Sequence, residues 1–416
     1  MRLIRKNPLL VFCFLIVAFA SCKKAKVTPT PGKNLVLTSF EQQKVTADNA
    51  FTLSLFKNLD SANTTGGNLF VSPLSVSFAL GMTSNGAGGS TLEAFKKTLN
   101  FAGLTQEQIN NYYNNLITNL PQLDPNTTLS IANSIWYRQD FAVQHQFLQT
   151  DSSFFHAQVQ ALDFNSPSAI NTINNWVSAK TKGKIPTIVN DIPSDMVMYL
   201  INAMYFKSSW NEKFDPAQTR PGNFYLADHS TVQANFMTGM VDMNSYYDDH
   251  VVICELPYAN SKYSMVIVMP AGTDGSVNNL AAGLDSAQWQ TWMSKLRADK
   301  NTINLPKFKF TYQAELKSAL TCLGLGVAFS DTANFLGINP DPSFHLKISK
   351  VTHKTFVETD ESGTTAAAVT SVGITATTAP APLPPINHPF IFAIREMSSG
   401  LILFIGTVNN PLLQGI

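Results

Sequence analysis

Residues 361–386 read ESGTTAAAVTSVGITATTAPAPLPPI. The composition is that of a loop, yet both flanks look like core strands. LKISKVTHKTFVE (346–358) precedes it; PFIFAIRE (389–396), a MSSG turn and LILFIGTV (401–408) follow as a hairpin. A long loop held at both ends inside a compact domain is usually functional. Residues 364–378 contain no charge, no proline and no aromatic residue. Such a stretch can enter a sheet as a strand, and is hazardous if left as an exposed edge. One alternating face carries Thr364, Ala366, Ala368, Thr370, Val372, Ile374 and Ala376, all small or apolar; the other is more polar. Fully extended at about 3.3 Å per residue, the stretch would reach roughly 50 Å. Composition alone fits two readings equally: a strand held in reserve, or a flexible low-complexity surface loop.

Outward from the loop the chain reads as one folded body. Hydrophobic residues make up 44% and charged residues 14% of 416, enough for a sizeable core. That length suits two or three domains. No Pro/Gly/Ser-rich linker divides residues 39–416, however, so a single α+β domain with large sheets is expected. Phe51, Leu55, Phe56 and Leu59 fall at helical spacing, and Ser72-Pro73 opens a second helix with Leu74, Phe78 and Met82 on one face. After the glycines of SNGAGGSTLEAF, Ser90 and Glu93 have the spacing of a capping box. LSIANSIWYR, VMYLINAMYF, VVICELPY and KYSMVIVMP read as strands. Cys254 and Cys322 read as small buried apolar residues.

Several functions are disfavoured. A net charge of +1 gives no electrostatic pull onto nucleic acid. No GxSxG, HExxH or GxxxxGK[ST] occurs, and seven scattered histidines lack ligand spacing. No catalytic residue, metal or cofactor is therefore expected. A glycan-binding surface protein is poorly supported, because aromatic residues at 11% are accounted for as core.

Residues 1–21 read as a secretory leader: Arg2, Arg5 and Lys6 precede an apolar run from Leu9 to Ala20, too short to span a bilayer. Phe19-Ala20-Ser21-Cys22 resembles a bacterial lipobox, with Cys22 as the lipidation residue, although Phe19 replaces the usual aliphatic residue. An ordinary signal with an incidental cysteine is the other reading. Without the leader's three basic residues, 29 become 26 against 28 acidic, a net of −2. The expected organisation is a signal peptide at 1–21, a lipid-anchored linker at 22–38 and a domain at 39–416. The protein is expected to be exported and held at the cell envelope by its lipid alone, or else secreted.

Several ordered motifs resemble the serpin family over about residues 39–416: NLFVSPLSVSFAL (68–80), GKIPTIV (183–189), LINAMYFKSSWNEKF (200–214), HKTFVETDESGTTAAAVTS (353–371) and the terminal HPFIFAIRE…LFIGTVNNP. The resemblance implies a large central mixed sheet, further sheets, surrounding helices and an exposed reactive loop. It makes Glu361, Gly363, Thr364, Thr365, Ala366, Ala367 and Ala368 the hinge; the family often has an acidic residue where this chain has Thr365. It places Trp210 where the loop enters the sheet, and Ser72, Ser75, Asn202 and His353 in a polar cluster beneath it, with helix capping and core polar satisfaction as their plainer roles.

The implied activity is suicide inhibition. A target protease attacks the loop and forms an acyl-enzyme. The severed loop then inserts as a strand and carries the protease with it, a transition long documented for this family. Ten to twenty new hydrogen bonds at about 0.5–1.5 kcal/mol each, plus apolar burial, would supply on the order of 10–30 kcal/mol. The family's spacing puts the reactive bond at Thr377-Thr378, or one residue later, flanked by Ile374, Thr375 and Ala376. No Lys or Arg occurs between Lys354 and Arg395, and no aromatic between Phe356 and Phe390. A small-pocket serine protease, elastase-like or subtilisin-like, is therefore the expected partner, in covalent complex with a monomer; a cysteine protease stays open. The alternative is a non-inhibitory serpin-fold binding protein, whose hinge would be expected to carry bulky or charged residues.

Overall fold

The computed structural model describes residues 31–272, 276–364 and 383–415. The leader and Cys22 lie outside this set. So do Thr365, Ala366, Ala367, Ala368, Ile374, Thr375, Ala376, Thr377 and Thr378.

The first third is mainly helical. Helix α1 (Ser39–Ala62) starts at a capping box of Thr38 and Glu41, and buries Phe51, Leu55, Phe56 and Leu59. A short strand, β1 (Leu69–Val71), leads into α2 (Pro73–Ser84), capped by Ser72 with proline in its first turn. The box expected from Ser90 and Glu93 does not form. Helix α3 (Gly89–Thr98) begins earlier, capped by Gly88 without a side-chain bond, so Ser90 is already inside it. Glu93 instead meets Lys96 at 3.6 Å. A box of Thr105 and Gln108 opens α4 (Gln106–Asn119). Helices α5 (His145–Phe155) and α6 (Pro167–Lys180) follow.

The remaining strands are β2 (Thr127–Arg138), β3 (Gln158–Leu162), β4 (Met198–Ser209), β5 (Arg220–Tyr225), β6 (Thr231–Tyr247), β7 (Val251–Pro257) and β8 (Tyr263–Pro270). After them come β9 (Arg297–Pro306), β10 (Phe308–Glu315), β11 (Thr352–Asp360), β12 (Gly363–Thr364), β13 (Phe390–Glu396) and β14 (Ile402–Val408). Among the described residues they form two sheets. One has six strands in the order β10-β11-β12-β4-β2-β3; the other has eight, β1-β14-β13-β8-β7-β6-β5, with β9 also on β6. The β2–β3 pair is parallel, which makes the six-stranded sheet mixed. The expected hairpin is β13–β14, and the fold is the expected α+β.

The sheets share one core. Phe70 on β1 stacks on Phe392 and Phe404 at 5.3 and 5.1 Å, and meets Phe310 of the other sheet edge-on at 6.4 Å. The opposite face of the six-stranded sheet is covered by α6, whose Ile173 and Trp176 pack with Trp136 and Ile201 in a separate cluster. Strand β11 alternates buried and half-buried residues because both of its faces are partly covered.

Two expectations need adjustment. Cys254 is buried within β7, but Cys322 is exposed, in a π-helical segment (Thr321–Leu325) that continues a four-residue helix, both too short for periodicity to define a buried face. The packed body also reaches back to Pro31 rather than starting at Ser39. Leu35 is buried, its N–H donates to Ser398 Oγ at 3.2 Å, and Lys33 N–H donates to the Leu123 carbonyl at 2.7 Å.

Candidate functional site

The site is the entry of the loop into the six-stranded sheet. After β11, Asp360 accepts the Ser362 N–H at 2.9 Å and turns the chain back. Gly363 and Thr364 then form β12, antiparallel to β11 on one side and to β4 on the other. Gly363 takes φ +146°, and a Cβ there would lie 2.2 Å from the Ser208 carbonyl oxygen, so only glycine fits. Among the described residues, β4 and β11 share no ladder; β12 separates them by one strand. A cavity at this seam is lined by Phe70, Met204, Phe206, Phe356, Val357 and Thr364.

Thr364 is buried, and its hydroxyl lies 2.6 Å from the Tyr258 hydroxyl. Burial pushes the Tyr258 phenol up. The Tyr258 ring stacks on Trp210 at 4.7 Å with planes 7° apart. Trp210 holds the turn twice: its indole N–H donates to the Asp360 carbonyl at 2.9 Å, and its backbone N–H to Ser362 at 3.0 Å.

Glu361 is clasped from outside. Lys307 Nζ lies 2.8 and 3.0 Å from its two oxygens, and Thr219 Oγ1 donates at 2.8 Å. Burial alone would raise this carboxyl, but these partners hold it below the usual range.

Below the seam sits the polar cluster. Ser72 N–H donates to His353 Nε2 at 3.1 Å, Ser72 Oγ donates to the Leu403 carbonyl at 2.8 Å, and Ser75 N–H donates to Ser72 Oγ at 3.2 Å. Burial pushes His353 down to about 4, so its imidazole is neutral and free to accept. Asn202 does not bond to this trio. It donates to Asn133 Oδ1 on β2 at 2.7 Å, and its own buried Oδ1 has no partner.

The structure thus gathers Trp210, Glu361, Gly363 and Thr364 at the hinge, and Ser72, Ser75 and His353 beneath it. Tyr258, Lys307 and Thr219 went unread in the sequence. Each lies far from the loop in the chain, on another strand's end or a turn, and carries no local signal. The far side of the loop is fixed to the other sheet: Leu383 and Ile386 are buried, and Ile386 N–H donates to Asn304 on β9 at 2.9 Å.

An open mixed sheet with a strand begun inside it, fed by a small-residue loop, is the architecture of serpins. Residues 46–411 match the family model described as "Serpin (serine protease inhibitor)", and the chain belongs to that family. Human Serpin B11 is 32% identical over 391 residues, covering 88% of this chain and 99% of that protein. Native tengpin, a thermophilic serpin, superposes with a TM-score of 0.81 at 33% identity, covering 92% of this chain and 97% of tengpin's. Human thyroxine-binding globulin, complexed with thyroxine, gives 0.80 at 28% identity, covering 89% of this chain and 99% of that one. Members of the family act mainly as protease inhibitors rather than as catalysts.

Proposed function

We propose that this serpin is an inhibitory one, a suicide substrate that traps its protease by strand insertion. The observation that carries the reading is β12: two hinge residues already sit as a strand between β11 and β4, with Thr364 buried at 3% exposure. The residues next in line, Thr365 to Ala368, are small and uncharged, so continuing the strand strands no charge in the core. Cleavage at Thr377-Thr378, or one bond later, by a small-pocket serine protease would free the loop to follow. The same reading puts the protein at the cell envelope through lipid on Cys22.

The test is incubation with elastase-like and subtilisin-like proteases, then denaturing electrophoresis. A covalent adduct that survives denaturant is expected, with mass spectrometry locating the cut. Cleaved chain without adduct against every susceptible protease would overturn the inhibitory reading in favour of a binding protein, as thyroxine-binding globulin is by its name. Lipid labelling that is lost in Cys22→Ser checks the anchor.

A further inference from the structure

The motif GKIPTIV (183–189) is not used by the hinge or by the polar cluster, yet it reaches the seam. It follows α6, which packs on β2 and β4, two of the three strands on one side of the seam. Its path is fixed twice. Thr181 Oγ1 accepts the Ile185 N–H at 3.1 Å and donates to the Val177 carbonyl at 2.8 Å. Asn174 Oδ1 accepts the N–H groups of Ile188 and Val189 at 2.9 and 3.0 Å, while its Nδ2 donates to the Val189 carbonyl at 2.7 Å. Gly183, at φ +77°, makes the turn between them.

This frame delivers one side chain across the seam. Lys184 Nζ lies 3.1 Å from Glu358 Oε2 and 4.6 Å from the centre of the Phe356 ring, both on β11. Glu358 is shared: Lys309, on neighbouring β10, holds its other oxygen at 3.0 Å. Burial would raise the Glu358 carboxyl, but the two lysines keep it below the usual range. The two lysines differ in what they join. Lys309 links strands on the same side, whereas Lys184 links the α6–β4 side to the β11 side. Thr181, Lys184 and Ile185 also line the seam cavity with Thr364.

We infer that Lys184 is a positioning residue that ties the two halves of the six-stranded sheet together across the insertion seam, and that its release precedes strand entry. The inference rests on the inhibitory reading for its consequence, but not for its existence as a tie. A one-third-exposed ion pair combined with a cation–π contact is salt-sensitive, and its loss translates into about a tenfold change in the rate of seam opening.

The experiment compares the intact wild-type chain with Lys184→Met, which keeps the apolar stem, Lys184→Arg, which keeps both contacts, and Glu358→Gln. Amide hydrogen exchange over residues 352–364 is followed at low salt and at about 1 M NaCl, where the Debye length is about 3 Å. Expected are roughly tenfold faster exchange in Lys184→Met, near wild-type exchange in Lys184→Arg, acceleration in Glu358→Gln, and a salt effect that Lys184→Met lacks. Unchanged exchange in Lys184→Met, or equal exchange in the Met and Arg variants, overturns the tie. In parallel, the number of inhibitor molecules consumed per protease trapped should fall in Lys184→Met while the encounter rate stays constant. An unchanged or higher number overturns its control of strand entry. If wild-type protein forms no adduct, the inhibitory reading fails, and the tie is still judged by exchange alone.

Discussion

The hydroxyls of Thr364 and Tyr258 meet at 2.6 Å inside the protein, 106 positions apart in the chain. Tyr258 in turn lies flat on Trp210, which bonds to the turn that delivers Thr364. The last described residue of β12 is therefore anchored between β4 and β11, and on the inhibitory reading this is the point from which an inserting strand would continue.

That fit makes Thr364 sensitive to charge. Thr364→Arg would force a guanidinium beside Tyr258 and Phe206, where no carboxylate is bonded to Thr364 or Tyr258. Cleavage of the loop should proceed as in wild type, while titration of a susceptible protease should consume at least about five times more inhibitor, a partition shift of roughly 1 kcal/mol. Unaltered stoichiometry would contradict the insertion route.

The outer clasp should matter for stability at the hinge. In Glu361→Gln, Lys307 loses its charge partner, and a drop in Tm of roughly 1–3 °C is expected by calorimetry at neutral pH. Because the folded carboxyl is held low, its contribution is complete above the ordinary glutamate range and disappears as pH falls through the depressed folded value. The wild-type and variant melting curves should converge in acid.

His353 gives a second acid effect with its own window. Its folded value of about 4 lies below the ordinary histidine value of 6.5, so the neutral ring favours the native state above pH 6.5, and that advantage is lost as pH falls toward 4. The loss at pH 4 is on the order of 3 kcal/mol. Protonation also turns Nε2 from acceptor to donor against the Ser72 N–H. Denaturant titrations from pH 7 to 4 should show this slope in wild type and a flatter one in His353→Gln.

Away from the hinge, Asp151 is a costly side chain to keep ionised. It is fully buried, Asn85 Nδ2 donates to one oxygen at 2.7 Å, and the other oxygen has no partner. Burial raises this carboxyl well above its ordinary value, so the stability it allows is present in acid and declines as pH rises through the raised value. Asp151→Asn keeps the shape and removes the charge. It should stabilise the protein at neutral pH by about 1–3 kcal/mol, read as a higher denaturant midpoint; a lower midpoint would mean that the carboxylate is solvated or paired.

Much of the fold is legible in local pattern. The apolar alternation and runs of 251–270 and 390–408 become the buried strands β7, β8, β13 and β14, and Ser72-Pro73 caps a helix as its chemistry dictates. Gly363 is pointed to by the family resemblance alone, and its φ of +146°, with a Cβ there 2.2 Å from the Ser208 carbonyl oxygen, supplies the physical reason for glycine. What is not legible is pairing at long range. Nothing near Tyr258 or Lys307 announces a partner more than fifty residues away, and the polar neighbourhood expected for Asn202 is replaced by Asn133 on the adjacent strand. The Ser90–Glu93 spacing fails for a related reason: the backbone freedom of Gly88 and Gly89 moves the helix start, and a motif counted in residues then falls in the wrong place.

The loop joins two sheets, and the piece on its far side is rooted in the deepest part of the protein. From Leu383 and Ile386 onward it supplies β13 and β14, whose residues are almost wholly enclosed by neighbouring strands. Severing the backbone within 365–382 would thus yield two polypeptides but still one particle. Gel filtration would register no loss of mass, and the carboxy-terminal fragment would come away only when the whole molecule is unfolded.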